Sequence, residues 1–289
     1  MLNFRKGSCK MERTKIKLRP ESNHYISDCI TKTDVIEAFA KQETITGKVV
    51  DYDFNQKNLK IFLGNNIYAT MEWQEATIYP FRYPRIAIAN NVPREILSLI
   101  HKKVRVKVIN IDSDHIYVSR KKNMIEIFEM IREETRENPE IVYSGRIVGK
   151  YKYGAFYDIG DGILAFCHIS EYTSVYVRNF TSWVSIGEKA YLKLVKIDND
   201  YKINCSRKQA AERTTVDLYN RYDVVLIKLS EPLYEKESIT GYYAEVTPII
   251  SGIANNGEGR IYCPGDIVTA IVKRTDITKN QLNLIIIDN

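Results

Sequence analysis

The chain has 289 residues, 44% of them apolar and 27% charged, with a net charge of +6. That is the make-up of an ordinary soluble globular protein, long enough for two domains or for more small ones. No apolar run approaches the roughly 18 residues of a membrane span, and the basic start MLNFRKGSCKMERTKIKLRP lacks the apolar stretch of a secretory signal.

The charge is unevenly placed. Residues 1–19 hold seven Lys and Arg against Glu12, so the whole +6 sits there and residues 20–289 sum to zero. Residues 1–30 are expected to be a basic flexible tail, either an arm for polyanions or a solvated segment. A short helix is expected near Thr33–Gln42, opened by Thr31 or Thr33. From about Thr44, ITGKVVDYDFNQKNLKIFLGNNIYATMEWQEAT reads as a meander with turns at Asn58 and Asn65-Asn66. An insert, Tyr79-Pro-Phe-Arg-Tyr-Pro-Arg85, follows. Its Arg82, Tyr83 and Arg85 suit stacking and phosphate contact or a protein hot spot, and a proline-pinned covering loop explains them as well.

The first unit closes on KKVRVKVINIDSDHIYVSRKK (102–122), where Val104, Val106 and Val108 alternate as in a half-buried strand. Met124, Ile127, Phe128 and Ile131 then give one face of a helix from Asn123 to Glu137, stopped by Asn138-Pro139. A second unit ends on KAYLKLVKIDNDYKINCSRK, with the same order of alternating strand, Ile-Asp-x-Asp, short strand and Ser-Arg-Lys. Lys208 to Tyr222 reads as another connecting helix. GDIVTAIVKRTDITKNQLNLIII (265–287) repeats the hairpin more loosely, with Pro232, Pro248 and Pro264 expected at turns or edges. Three units follow, at 31–122, 141–208 and 223–289, with helices at 123–140 and 209–222 between them.

The five cysteines (Cys9, Cys29, Cys167, Cys205 and Cys263) are odd in number and include no CxxC pair. This argues against a zinc ribbon or a disulfide framework, and for reduced thiols in a cytoplasmic protein. Cys167 and His168 are adjacent on a strand and point to opposite faces, so they cannot form a nucleophile–base dyad. No GxxxxGK[ST], HExxH or GxSxG motif occurs, and no enzyme activity, metal or cofactor is expected.

The stretch from Ser144 to Lys208 carries the most information. It runs SGRIVGKYKYGAFYDIGDGILAFCHISEY and, after a loop, IGEKAYLKLVKIDNDYKINCSRK. A glycine-started strand, Tyr-Gly-Ala-Phe, a His-Ile-Ser-Glu corner and a closing Ser-Arg-Lys occur in order. This resembles the S1 domain, the small single-stranded-RNA-binding β-barrel of the ribosomal protein S1 family. The resemblance implies a mainly β chain of tandem five-stranded OB-type barrels joined by short α-helices. It implies RNA, mRNA above all, as partner, with a role in translation and docking to a ribosome or an RNA-processing protein.

Carried over position by position, the resemblance places RNA contacts at Tyr153, Phe156, His168, Asp198 and Lys202. Flat side chains offer bases a stacking surface, and a lysine offers phosphate a cation. Tyr153 stands where Phe is commoner, and Lys202 where Arg is, losing the planar fork. Unit two holds ten Lys and Arg against six acids, which favours a polyanion. Unit one has Gln56-Lys57-Asn58-Leu59 in place of Tyr-Gly-Ala-Phe, and Thr70 to Glu75 in place of the His corner, so the contacts are not carried to it. Unit three is too diverged to assign a site. The alternative reading is an adaptor whose barrels dock to proteins and tether an RNA-processing or ribosome-associated complex.

Overall fold

The computed structural model describes residues 16–17, 30–79, 93–113, 115–211, 215–257 and 259–287. The first element, β1 (Ile16–Lys17), pairs in parallel with Val142 and Tyr143 of the second unit. The expected flexible tail of residues 1–30 is therefore held at those two positions; its other residues up to 29 lie outside the described ones. Thr31 opens α1 (Lys32–Lys41) through a capping box. Its hydroxyl accepts from the Asp34 N–H, and the Asp34 carboxylate accepts from the Thr31 N–H at 2.8 Å.

The first barrel is formed by β2 (Thr44–Asp53), β3 (Asn58–Gly64), β4 (Ile67–Glu72), β5 (Lys103–Asp112) and β6 (His115–Ser119). A single turn, α2 (Arg94–Leu97), precedes β5. The strands close in the order β2-β3-β4-β6-β5. Val104, Val106 and Val108 point inward as their alternation predicts, and Ile30, Val35 and Ala38 plug one end. Ser119 caps α3 (Arg120–Glu137), which starts three residues before the expected Asn123. Its Met124, Ile127, Phe128 and Ile131 join the core of the second barrel.

That barrel comprises β7 (Val142–Tyr151), β8 (Gly154–Asp158), β9 (Leu164–His168), β10 (Lys189–Ile197) and β11 (Ile203–Ser206). Short helical turns α4 (Ile169–Tyr172) and α5 (Phe180–Trp183) lie between β9 and β10. The ring runs β7-β10-β11-β9-β8 and closes through β7–β8.

The helix expected over 209–222 does not form as such. Among the described residues of that stretch only α6 (Arg207–Ala210) is α-helical, Ala211 is extended, and a 3-10 turn at Val216–Leu218 follows an extended Thr215. The successive β-branched residues Thr214, Thr215 and Val216 disfavour helix, and Val216 is buried against the third barrel instead. The third barrel is β12 (Val224–Glu235), β13 (Ser238–Thr247), β14 (Ile250–Asn255), β15 (Ile267–Asp276) and β16 (Gln281–Ile286), closed in the order β12-β13-β14-β16-β15. Pro232 sits at a bulge in β12, and Pro248 in the turn after β13.

The three barrels share irregularities as well as order. The first strand of each is bulged, at Val49/Asp51, Ile147/Gly149 and Leu229/Pro232. The fourth is bulged at Val108/Asn110, Leu194/Lys196 and Val272/Arg274. A bulge inserts one residue and sharpens the local bend a small closed sheet needs.

The repeated Ser-Arg-Lys makes the joints. Ser119 and Ser206 cap α3 and α6, and the arginine after each reaches into the neighbouring barrel. Arg120 donates to Ala76 O (2.7 Å) in the first unit and to Asp161 O (2.9 Å) in the second. Arg105 adds an ion pair to Asp161 at 2.9 Å. Burial pushes the Tyr79 hydroxyl up to about 12, so it stays protonated while accepting from Leu164 N–H at 2.7 Å. Arg207 donates to both oxygens of Glu245 in the third barrel, at 2.7 and 2.9 Å. Beside it, Trp183 Nε1 donates to Leu229 O at 2.8 Å and Lys228 pairs with Glu188 at 3.0 Å. Burial works to lower the Arg207 pKa, but Glu245 outweighs it and holds the guanidinium charged.

Glu245 is 5% exposed, so Arg207→Met leaves a buried carboxylate without its partner and is expected to destabilise by about 3–5 kcal/mol in urea unfolding. Arg207→Met combined with Glu245→Leu should recover most of that loss. Equal destabilisation in the single and double variants would show that the pair is not what joins these barrels.

Candidate nucleic-acid interface

The site starts from a two-residue turn. Tyr151 pairs with Gly154 across the β7–β8 hairpin, leaving Lys152 and Tyr153 at its tip. Glycine is required at 154: a Cβ there would lie 2.3 Å from the Cys167 carbonyl oxygen. Tyr153 is consequently pushed outward, 61% exposed, with Lys152 Nζ 5.3 Å from its ring centroid.

Register then assembles an aromatic strip. Phe156 faces Phe166 across β8–β9, ring centroids 5.0 Å apart, and Tyr151 meets Phe156 edge-on at 5.6 Å. His168 lies two residues beyond Phe166 on the same face, 6.5 Å from its ring. Phe166 is beside Asn204 in the parallel β9–β11 ladder, and Asn204 is opposite Lys196 of β10. One row across the sheet thus reads Phe156, Phe166, Asn204, Lys196.

His168 also shapes the corner. Its Nδ1 accepts from the Ser170 N–H at 3.2 Å and contacts the Ser170 hydroxyl at 2.8 Å, so it caps α4. A backbone N–H can only donate, so Nδ1 carries no proton and Nε2–H is presented outward.

The structure brings Tyr153, Phe156 and His168 together. Asp198 and Lys202 lie at the far end of the same sheet, on the β10–β11 hairpin, which the Asp198 N–H closes onto Lys202 O at 2.8 Å. Each is already paired. Asp198 binds Lys196 at 2.8 Å, and Lys202 binds Asp200, holding that carboxyl below its usual range and raising its own pKa. Such exposed pairs are weak and exchange readily for another anion. Arg82, Tyr83 and Arg85 lie outside the described residues. The insert's first residue, Tyr79, is spent at the joint with Leu164.

Sequence reasoning missed Tyr151, Phe166, Asn204 and Lys196. Phe166 was within reach, since period two puts it on the face of His168. Asn204 and Lys196 come from distant strands and needed the register. The ladder also corrects the alignment with unit one. Counted from the shared first-strand bulge, Gly154 opposite His168 corresponds to Asn58 opposite Glu72, so Lys57–Lys60 stand where Tyr153–Phe156 do, not residues 56–59.

Cys167 and Cys205 face each other between β9 and β11 as buried free thiols, and Cys263 is exposed and free; Cys9 and Cys29 lie outside the described residues. Among the described residues, no cluster of three or more His, Cys, Asp or Glu could hold a metal ion. No helix among them is long and apolar enough to cross a membrane.

Residues 137–208 match the family model of the S1 RNA binding domain, and the middle barrel is an S1 domain. Polyribonucleotide nucleotidyltransferase of Natranaerobius thermophilus is 38% identical over 80 residues, covering 27% of this chain and 11% of that enzyme. Small ribosomal subunit protein bS1 of Staphylococcus aureus is 29% identical over 109 residues, 37% of this chain and 27% of that protein. The chain thus spans only a minor part of either relative. A crystal structure of a multidomain protein with nucleic acid binding domains from Streptococcus pneumoniae covers 91% of this chain and 75% of its own, at 10% identity and a TM-score of 0.31.

The hydrogen bond from Ser170 N–H predicts that His168 is the Nε2–H tautomer when neutral. Long-range nitrogen–proton correlation spectra of the imidazole test this; a neutral ring protonated at Nδ1 would refute the corner geometry.

Proposed function

We propose that the chain is a non-catalytic, cytoplasmic RNA-binding protein that holds single-stranded RNA on its middle barrel. The observation that carries this reading is the aromatic strip of Tyr151, Phe156, Phe166 and His168, with centroids 5.0–6.5 Å apart and the exposed Tyr153 at its end. Each ring offers a base a stacking surface worth about 1–3 kcal/mol with little demand on sequence. Nε2–H of His168 donates to a phosphate or a base edge. Lys196 and Lys202 release Asp198 and Asp200 to meet phosphates, and the freed carboxylates accept from ribose hydroxyls. Recognition of the 2′-hydroxyl is what would favour RNA over DNA. Similarity to bS1, a ribosomal subunit protein, supports adding to this reading a role in engaging mRNA or the ribosome during translation.

A second reading has its own support. Val224, Leu226 and Ile267 are 59%, 68% and 68% exposed on neighbouring strands of the third barrel, and exposed apolar faces commonly mark protein contacts. In this reading the flanking barrels dock to an RNA-processing or ribosome-associated protein while the middle one holds RNA.

Tyr153→Ala with Phe156→Ala is expected to weaken binding of a fluorescent single-stranded RNA by tenfold or more, taking about 1 kcal/mol or more from each lost stack. Fluorescence anisotropy at two salt concentrations measures this. Unchanged affinity in a folded double variant would overturn the middle-barrel site.

A further inference from the structure

The ladders give every residue of the proposed RNA face a counterpart in the first barrel, and the counterparts are not blank. The row Phe156, Phe166, Asn204, Lys196 becomes Lys60, Thr70, Tyr117, Asn110. One pair further along the strands, where the middle barrel has Asp158 opposite Leu164, the first has Phe62 opposite Tyr68. Lys48 stands opposite Phe62, as Arg146 stands opposite Asp158. Aromatic and polar rows have exchanged places, moving the ring pair by two residues, about 7 Å.

This pair is placed to meet a ligand. The Phe62 and Tyr68 centroids are 5.4 Å apart, Tyr68 is 43% exposed, and Lys60 Nζ lies 4.4 Å from its ring centre. Lys48 and Lys60 are exposed, and neither is in an ion pair among the described residues. Tyr68 also borders a surface cleft of about 530 Å³, with Thr31, Asn65, Asn66 and Ile116 among its walls. That volume falls within the roughly 300–1,000 Å³ of clefts that take small organic groups. Charge separates the two flanking barrels. Residues 31–122 carry fifteen Lys and Arg against ten acids, whereas residues 223–289 carry six against nine. A polyanion is attracted to the first and repelled by the third.

We propose that the β2–β3–β4 face of the first barrel is a second single-stranded RNA site. Bases stack on Phe62 and Tyr68, phosphates meet Lys48 and Lys60, and the base beside Tyr68 enters the cleft, within reach of the Asn65 and Asn66 amides. The inference rests on the reading that the chain binds RNA and adds to it a site with its own residues. Two linked sites bind a strand long enough to span them more tightly than either does alone.

The test uses the full chain and fluorescent single-stranded RNAs of about 12 and about 30 nucleotides, bracketing one site and two. Phe62→Ala/Tyr68→Ala should weaken binding of the longer RNA at least about fivefold, the loss expected from a single stack. Lys48→Gln/Lys60→Gln keeps the rings and should lower the salt dependence by about 1.4 in slope, near 0.7 per lost phosphate contact. Thermal melting identifies any variant that fails to fold; if the ring variant does, the lysine variant decides. Wild-type affinity and salt slope in folded first-barrel variants overturn the proposal and leave the middle-barrel site standing. Loss in these variants but not in Tyr153→Ala/Phe156→Ala upholds it and removes the middle-barrel site instead. A wild-type chain that binds neither RNA overturns both.

Discussion

A half-buried arginine at each joint sets the arrangement of the three barrels. Arg120 and Arg207 occupy the same place in a repeated Ser-Arg-Lys, and each leaves its own barrel to find acceptors in the next. A guanidinium out of water must have its donors met or the folded state is penalised by several kcal/mol. The acceptors are fixed features of the neighbour, the Asp161 carbonyl in one case and the Glu245 carboxylate in the other. The requirement is directional, so it fixes how one barrel faces the next as well as their closeness.

Joint and candidate site are connected through one helical turn. His168 caps α4, and α4 ends on Tyr172. The Arg207 guanidinium lies 4.8 Å over the Tyr172 ring, whose hydroxyl donates to Glu188 at 3.0 Å. Glu188 in turn pairs with Lys228 of the third barrel. The imidazole that would meet RNA is thus held by the segment that binds two barrels together. A rigid corner of this kind reduces the ordering a ligand must impose on binding.

Inside each barrel the constraints differ from those outside. Inward positions remain apolar across all three, mostly Val, Ile, Leu and Ala with Tyr143, Tyr157, Tyr242, Met71, Cys167 and Cys205 among them, because a closed core leaves no water to meet an unpaired polar group. Outward positions are free to change while the same bulges keep the strands in the same register. Phe156, Lys60 and Tyr243 hold equivalent places, opposite Phe166, Thr70 and Ile253. One fold therefore presents three different chemical faces, and the fold alone does not say what each binds.

Much of this was legible in the chain itself. Alternation in Val104-Val106-Val108, the Ser-Arg-Lys repeat and the face of Met124, Ile127, Phe128 and Ile131 determined strands, the recurring hairpin and the long helix, because they depend on local periodicity. Tyr153, Phe156 and His168 could be picked out for the same reason: a glycine turn and one hairpin bring them together. Lys196 and Asn204 reach the same row only through a parallel pairing between β9 and β11, set by barrel closure. The purpose of Arg120 and Arg207, the docking of Ile16–Lys17 and the exchange of rows at Phe62 and Tyr68 were likewise decided by tertiary structure. Each depends on which strand lies beside which, and that is settled by burying apolar area over the whole barrel, a sum no local stretch of sequence contains.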